Sequence, residues 1–407
     1  MDDKKKMVPR IRFRGFDDLW EQRKLGEIAK LSSSKRIHAS DYVKNGIPFF
    51  RGSEISSGKF DDTKSLYISR HLYEKIKEEY GIPKNGDILV TAVGTLGNVW
   101  KVDDTEFYYK DGNLILINSV KIDSDFLYAF FSESVGKNRL LRSAAGSNQK
   151  ALTMVKLREV EIDYPIREEQ EHLSIFRQVL SQLIVANEKK GQQLKGLKKL
   201  LMEKIFSQAW RFKGFSDPWE QRKLSEIAKR VTRKNSELET SRPLTISADL
   251  GLVDQTNYFN KTVASANLRE YILLLRGEFA YNKSYSKGYP FGTVKRLEKY
   301  ESGAVSTLYI AFRSVKVNPL FLAQYYETSN WYREISKVAA EGARNHGLLN
   351  ISPMDFMNTV LIVPSDDLEQ EKIGKVLFKL DNLIVANEKK LDQLKQLKKY
   401  LMQNMFV

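Results

Sequence analysis

Along 176–201 the chain carries a pattern that steps alternately by four and three residues: Phe176, Leu180, Leu183, Asn187, Lys190, Leu194, Leu197 and Leu201. Val376, Leu380, Leu383, Asn387, Lys390, Leu394, Leu397 and Leu401 repeat it. That spacing predicts two helices of about 35 residues, each roughly 50 Å long, with one mainly apolar seam and a Lys/Glu/Gln remainder. A long helix with one such seam needs a partner helix, and the other copy supplies it. Asn187 with Asn387, and Lys190 with Lys390, would weaken the pairing while fixing its register. The plainer alternative is that they lie at the seam edge with no special role.

The two stretches are a duplication. Residues 183–206 and 383–406 share 17 identities in 24 positions at an offset of 200. A second repeat lies upstream of each, where RFRGFDDLWEQRKLGEIAK (12–30) and RFKGFSDPWEQRKLSEIAK (211–229) share 15 of 19 positions. Asp18 and Asp217 are expected to cap a short helix that turns Leu25 and Ile28, or Leu224 and Ile227, inward. The chain thus reads as two similar units in tandem, each with a short leading helix, a central domain and a long helix.

The central domains are expected to be β-rich. Runs of Val, Ile and Leu bounded by Gly and Asn predict strands at 87–93, 98–102 and 113–118 in the first, and at 271–275, 293–297 and 304–312 in the second. Helical stretches follow at VKIDSDFLYAFF from Val120 and VKVNPLFLAQYY from Val315. Gly97 in GNV corresponds to Gly292 in GTV. Each domain then has a Gly-centred polar loop and a short apolar strand ending at Pro165 or Pro364. EQE, at Glu169 or Glu369, opens the long helix.

Composition narrows the class of partner. The chain has 407 residues, enough for two or more cores, and a net charge of +15. That excess points to an anionic partner, nucleic acid rather than membrane, because no stretch approaches the roughly 18 apolar residues of a membrane span. No secretory signal and no cysteine are present, which favours a cytoplasmic protein without disulfides or thiolate metal sites. His38, His71, His172 and His346 are too scattered for a zinc site.

No catalytic constellation emerges. An adenine methyltransferase would show an Asn/Asp-Pro-Pro-Tyr/Phe tetrad, and the nearest string, from Ser352 to Phe356, lacks the paired prolines. Gly58-Lys59 has no phosphate-loop spacing. Asp103, Asp104 and Glu106 lack the lysine of a nuclease centre and read as a solvated turn. Frames that match around interiors that have drifted imply one scaffold serving two ligands, and a binder rather than an enzyme.

Basic loops with small polar residues suit DNA, because Lys and Arg neutralise phosphates while Arg, Asn, Gln, Ser and Thr reach base edges. Ser32, Ser33, Ser34, Lys35, Arg36 and His38 follow the first leading helix, and Arg230, Thr232, Arg233, Lys234 and Asn235 follow the second. Thr91, Thr95 and Asn98 surround VGTLGN. Tyr281, Asn282, Lys283, Ser284, Tyr285 and Lys287 make up YNKSYSKGY. The Gly-centred loops add Ser147, Asn148, Gln149 and Lys150, and Arg344, Asn345 and His346. For any one of these the alternative is an ordinary solvated or turn residue. Lys189, Lys190, Lys195, Lys198 and Lys199 on the long helix are read as solvated or as docking a protein.

WEQRKL at Trp20 and Trp219, GDILVTAVGTLG from Gly86, EFAYNKSYSKGYPFG from Glu278, the Pro and EQE closures, and LIVANEKK at Leu183 and Leu383 resemble the specificity subunits of type I restriction-modification systems, most closely the staphylococcal type. The resemblance covers nearly all of the chain after about Arg10. It implies an α+β fold: two tandem target-recognition domains separated by two long antiparallel coiled-coil helices, pseudo-two-fold symmetric. The expected divisions are a first recognition domain at 1–165, a first helical spacer at 166–210, a second recognition domain at 211–364 and a second spacer at 365–407. The spacer seam residues are Leu183, Asn187, Leu194, Leu197 and Leu201 with Leu383, Asn387, Leu394, Leu397 and Leu401.

The resemblance further implies a non-catalytic subunit that binds a bipartite, asymmetric site in double-stranded DNA, one half per domain. Two modification (methyltransferase) subunits would dock on the duplicated frames, and restriction (translocase/nuclease) subunits would join them. S-adenosylmethionine, ATP and Mg would belong to those partners, with no cofactor or metal in this chain. The competing readings are a coiled-coil scaffold for proteins and the DNA-binding part of a fused restriction-modification enzyme.

Overall fold

The computed structural model describes residues 8–55, 65–144, 150–259, 267–286, 288–339 and 349–407. They form two compact units, and the division falls inside both long helices: residues 1–188 with 389–407 make the first unit, and 189–388 the second.

The first unit opens with β1 (Glu21–Lys24), α1 (Leu25–Ile28) and β2 (Lys30–Ser32). Next come β3 (Tyr42–Val43), β4 (Ile47–Phe50), β5 (Leu66–Ile68) and α2 (Arg70–Tyr80). Then follow β6 (Ile88–Thr91), β7 (Val99–Lys101), β8 (Tyr108–Tyr109) and β9 (Leu114–Asn118). It closes with α3 (Ser124–Ser132), α4 (Ser134–Arg142), α5 (Met154–Arg158), β10 (Glu161–Tyr164) and the first part of α6 (Arg167–Phe206). The central sheet has the order β2-β9-β6-β7, and a second sheet, β3-β5-β4-β8, lies over its own core of Phe49, Phe50, Tyr73, Phe107 and Tyr108.

The second unit runs through β11 (Glu220–Lys223), α7 (Leu224–Ile227), β12 (Ala228–Arg230), β13 (Leu244–Ser247), β14 (Gly251–Asp254) and α8 (Gln255–Phe259). It continues through β15 (Ile272–Leu275), β16 (Phe279–Asn282), β17 (Thr293–Arg296), β18 (Ser302–Val305) and β19 (Ile310–Ser314). Last come α9 (Pro319–Tyr325), α10 (Tyr332–Val338), α11 (Pro353–Met357), β20 (Val360–Val363) and α12 (Asp367–Met405). Its sheet order, β12-β19-β16-β17, repeats that of the first unit strand for strand. Gly97 and Gly292 both precede the fourth strand with positive φ, 71° and 79°, as the correspondence of GNV and GTV predicts.

Two expectations need correction. WEQRKL is not a capped helix: EQRK is a strand, β1 pairing with β10 and β11 with β20. Only one turn of helix follows, capped by Lys24 or Lys223 without a side-chain bond, so Asp18 and Asp217 do not act as caps. Leu25, Ile28, Leu224 and Ile227 are nonetheless buried. The run 304–312 is two strands, β18 and β19, joined by a turn in which the Tyr309 N–H donates to the Ser306 carbonyl.

The frame motifs have structural work. The Arg12 guanidinium donates twice to the fully buried Glu169 carboxylate, and Arg211 does the same to Glu369. Gln170 then donates to the Pro165 carbonyl and accepts the Asp123 N–H, while Gln370 does so with Pro364 and Asn318. The EQE signature is thus the joint between closing strand, long helix and α3 or α9.

In each unit the core is completed by both long helices. Leu173 and Leu180 of α6 join Met402, Met405 and Phe406 in the first unit, where Phe406 packs 5.7 Å from Phe126. Ile205 and Phe206 join Ile373, Leu377 and Leu380 of α12 in the second, where Phe206 packs 5.7 Å from Phe321. Within the second unit the helices run antiparallel, since Lys195 pairs with Glu388 and Lys198 with Asp381.

The seam differs from the expected one at alternate positions. Asn187, Leu194, Leu201, Asn387, Leu394 and Leu401 are covered, but Leu183, Leu197, Leu383 and Leu397 are 45–52% exposed, and Lys190 and Lys390 face outward. The positions one residue later, Ile184, Gly191 and Lys198 with Ile384, Leu391 and Lys398, take their places. Both choices satisfy a four-three step from Leu180, so the anchored ends decide: burying Ile205 of α6 and Leu377 of α12 in the core of the second unit fits the later position. At Gly191 an added Cβ would stand 2.7 Å from Asn387 Oδ1.

Candidate nucleic-acid interface

Strand direction gathers the candidate loops. β9 is antiparallel to both β2 and β6, so β2 and β6 end, and β7 and β9 begin, at the same end of the sheet. That end carries the segment after β2 with Lys35, Arg36 and His38, the β6–β7 turn with Thr95, and the turn before β9. The segment holding Lys150 returns there too, through the Leu152 N–H on the Ala92 carbonyl at 2.9 Å. In the second unit the same logic places the segment after β12, the β16–β17 hairpin and the turn before β19 together, with Leu349 N–H on the Lys283 carbonyl at 3.0 Å. The frame motifs lie toward the opposite end, where Lys121 N–H bonds the Ile28 carbonyl and Val315 N–H that of Ile227.

Within this end the predicted residues divide. Lys35, Arg36, His38, Thr95, Lys150, Arg233, Lys234 and Tyr285 are exposed, and Asn282, Lys283 and Ser284 are half-buried. Thr91 and Asn98 are buried and shape the hairpin: the Thr91 hydroxyl donates to the Thr95 carbonyl and accepts the Asn98 N–H, and Asn98 Oδ1 accepts from Lys137. Asn235 is fully buried and closes a turn onto both backbone groups of Thr240. Tyr281 is likewise core, its hydroxyl bonded to the Phe291 carbonyl. These four hold the turns rather than present themselves to a ligand. Ser147, Asn148, Gln149, Lys287, Arg344, Asn345 and His346 lie outside the described residues.

Several cations are already engaged. Arg233 Nη2 donates to Glu278 at 2.7 Å and to the Leu273 carbonyl, Lys234 pairs with Glu270, and Lys283 Nζ reaches the Ile351 carbonyl at 3.1 Å. Lys35 sits 5.0 Å over the Tyr80 ring. Its N–H donates to the Tyr108 hydroxyl, which burial keeps protonated by pushing its pKa up.

Sequence reasoning missed Asp111, Arg51 and Tyr80 at this end. Asp111-Gly112 before an apolar run was a readable turn signal, whereas Arg51 and Tyr80 are brought there only by the second sheet. Among the described residues no cluster of His, Cys, Asp and Glu is disposed to hold a metal ion.

Each unit thus carries a matched loop cluster at the same end of a matched sheet, built on a repeated frame. Residues 17–196 match the family described as the type I restriction modification DNA specificity domain. The provisionally named type I restriction enzyme specificity subunit S.HindORF215P of Haemophilus influenzae is 29% identical over 161 residues, 39% of each chain. The MjaVIII specificity subunit of Methanocaldococcus jannaschii is 24% identical over 205 residues, 48% of each. The chain therefore spans less than half the length of these curated relatives. In fold it is similar to the type I restriction-modification S subunit from M. genitalium, with a TM-score of 0.61 at 16% identity over 98% of this chain and 99% of that one. The HsdS subunit from Thermoanaerobacter tengcongensis gives 0.51 at 15% identity over 95% and 96%. The likeness to type I restriction-modification specificity subunits is thus carried in sequence by residues 17–196 and in fold by nearly the whole chain.

Proposed function

We propose that this chain is the non-catalytic DNA-recognition subunit of a type I restriction-modification complex, reading a bipartite, asymmetric site with one half per unit. The observation that carries this reading is the convergence, in each unit, of the drifted basic and polar loops on one end of an equivalent sheet, opposite the repeated frame. A net charge of +15 suits a phosphate backbone. No helix among the described residues is long and apolar enough to cross a membrane.

Adenine methylation and restriction would then be done by partner subunits, which would bring S-adenosylmethionine, ATP and Mg, in the cytoplasm. Two modification subunits would dock on the duplicated frames. Supporting this, the long helices expose the same apolar positions in both copies: Leu183 and Leu383, Val185 and Val385, Leu197 and Leu397, Leu200 and Tyr400. Apolar side chains kept on the outside twice over fit a covered surface better than a solvated one.

The test is an exchange of residues 31–165 for those of a relative with another target, followed by methylation mapping of genomic DNA. One half of the recognised sequence should change and the other stay. A change in both halves would refute the two-reader arrangement.

A further inference from the structure

We propose that Arg36 is a base-reading residue of the first unit and Asp111 its positioning residue: the guanidinium end left free by Asp111 takes a guanine edge in the major groove. The assignment rests on the DNA-recognition reading above and adds a residue and a base to it.

The pair is built in place. Arg36 Nε donates to Asp111 Oδ2 at 2.9 Å, and among the described residues its Nη groups have no partner. The arginine side chain is 72% exposed and the aspartate only 19%. Backbone anchors on both sides aim Arg36 outward: the Lys35 N–H is held by Tyr108 at 2.6 Å, and Ile37 is buried in the second core. The aspartate stands on an equally fixed turn. Lys110 N–H bonds the Phe50 carbonyl at 2.7 Å, Asn113 Nδ2 bonds the Arg51 carbonyl at 2.8 Å, and Gly112 takes the positive φ of 73° between them.

Fold stability does not explain this arrangement, because an ion pair with so exposed a partner contributes little. Nor does a phosphate suit it. The carboxylate neutralises the guanidinium and would lie close to any phosphate that Arg36 contacted, so the pair as a whole offers no net charge for counterion release. What remains is a rigid fork with two outward N–H donors in one plane. A neutral base edge with two adjacent acceptors matches it, and guanine O6 and N7 are that edge.

The experiment uses the full chain assembled with its modification subunits and duplexes carrying the natural site. Each guanine of the first half-site is replaced in turn by adenine or by 7-deazaguanine, which lacks N7. The wild type should lose about 5- to 150-fold in affinity at one guanine, the discrimination of one bidentate pair. Arg36→Ala should lose a similar factor on the natural duplex, become indifferent at that position alone, and keep full selectivity for the other half-site. Selectivity retained at the other positions of the first half-site shows that the first unit of the variant is folded. Arg36→Lys should not restore discrimination, and Asp111→Asn should weaken it at the same position.

Three results overturn the proposal. Equal weakening on all sequences with a salt slope shallower by about one makes Arg36 a phosphate contact. Unchanged affinity makes it a solvated pair, and a first half-site without guanine on either strand removes its ligand. A wild-type assembly that selects no sequence at all defeats the recognition reading itself, which separates the two failures.

Discussion

Arg12 and Glu169 are joined by two parallel hydrogen bonds of 2.8 Å, and 199 residues on Arg211 reaches Glu369 in the same way at 2.8 and 2.7 Å. In both units the carboxylate is buried and lies in the first turn of a long helix, where the helix dipole also favours negative charge. The pair ties the segment that leads into the unit to the helix that leaves it. Replacing Arg12 by Ala strands a buried carboxylate, so a loss of about 3–5 kcal/mol is expected. Denaturant unfolding of the full chain checks this, and a loss below about 1 kcal/mol would mean that water reaches Glu169 freely.

The later seam position makes a contrast between neighbours. Ile184→Ala should destabilise by about 1–2 kcal/mol, while Leu183→Ala, at an exposed site, should stay within about 0.5 kcal/mol. Gly196→Ala meets nothing within 4 Å and should gain about 0.5–1 kcal/mol of helix propensity. Gly191→Ala should gain less, because Asn387 Oδ1 must move aside. Equal gains at the two glycines would show that Asn387 does not press on the seam.

Much of this fold was legible as repetition. The duplicated frames announced two units, and β6, β7 and β9 of one central sheet with β17 and β19 of the other followed from short apolar runs bounded by Gly and Asn, whereas β2, β12 and β16 were not foreseen. β1 and β11 escaped notice because all but one of their eight residues are exposed, so no alternation marks them; backbone pairing with β10 and β20 makes them strands. The seam was misjudged at Leu197, where the more apolar choice was the outer one, and at Leu183, whose neighbour Ile184 is equally apolar. A sequence cannot distinguish an Asn that faces a ligand from one that closes its own turn. Asn98 and Asn235 are of the second kind, and only their burial reveals it.

Gly292 makes the hairpin of the second unit fragile. Its φ is 79°, and a Cβ there would stand 2.1 Å from the Asn282 carbonyl oxygen. Gly292→Ala should therefore displace the segment carrying Lys283 and Tyr285 and weaken selection of one half-site while sparing the other. Equal loss at both halves in a methylation assay would argue against a hairpin that serves a single reader.

Buried phenols give the second unit an alkaline limit. Burial raises the pKa of Tyr281, that of Tyr326 well above its ordinary value of 10.0, and that of Tyr325 to about 12. The native state thus keeps protons that the unfolded chain releases above pH about 10, so stability is full below that pH and falls as pH rises past it. Tyr326 has in addition a buried hydroxyl with no hydrogen-bond partner among the described residues. Tyr326→Phe should be neutral or stabilising by about 1 kcal/mol at pH 7 and should flatten the decline above pH 10. Melting curves at pH 7 to 11 test both, and a steeper alkaline decline in the variant would contradict the assignment.

The division of the units inside the long helices has a consequence for the order of synthesis. Trp20, Phe126 and Phe130 share a core with Met402, Met405 and Phe406, yet the 200 residues of the second unit are made in between. At about 5–20 residues per second the first unit waits roughly 10–40 s on the ribosome with that face open. The second unit has no such interval, since every other segment of its core is already present when α12, which supplies Ile373, Leu377 and Leu380, emerges. The first unit is translated first and finished last, and its open face is where a chaperone or an early partner would find the nascent chain.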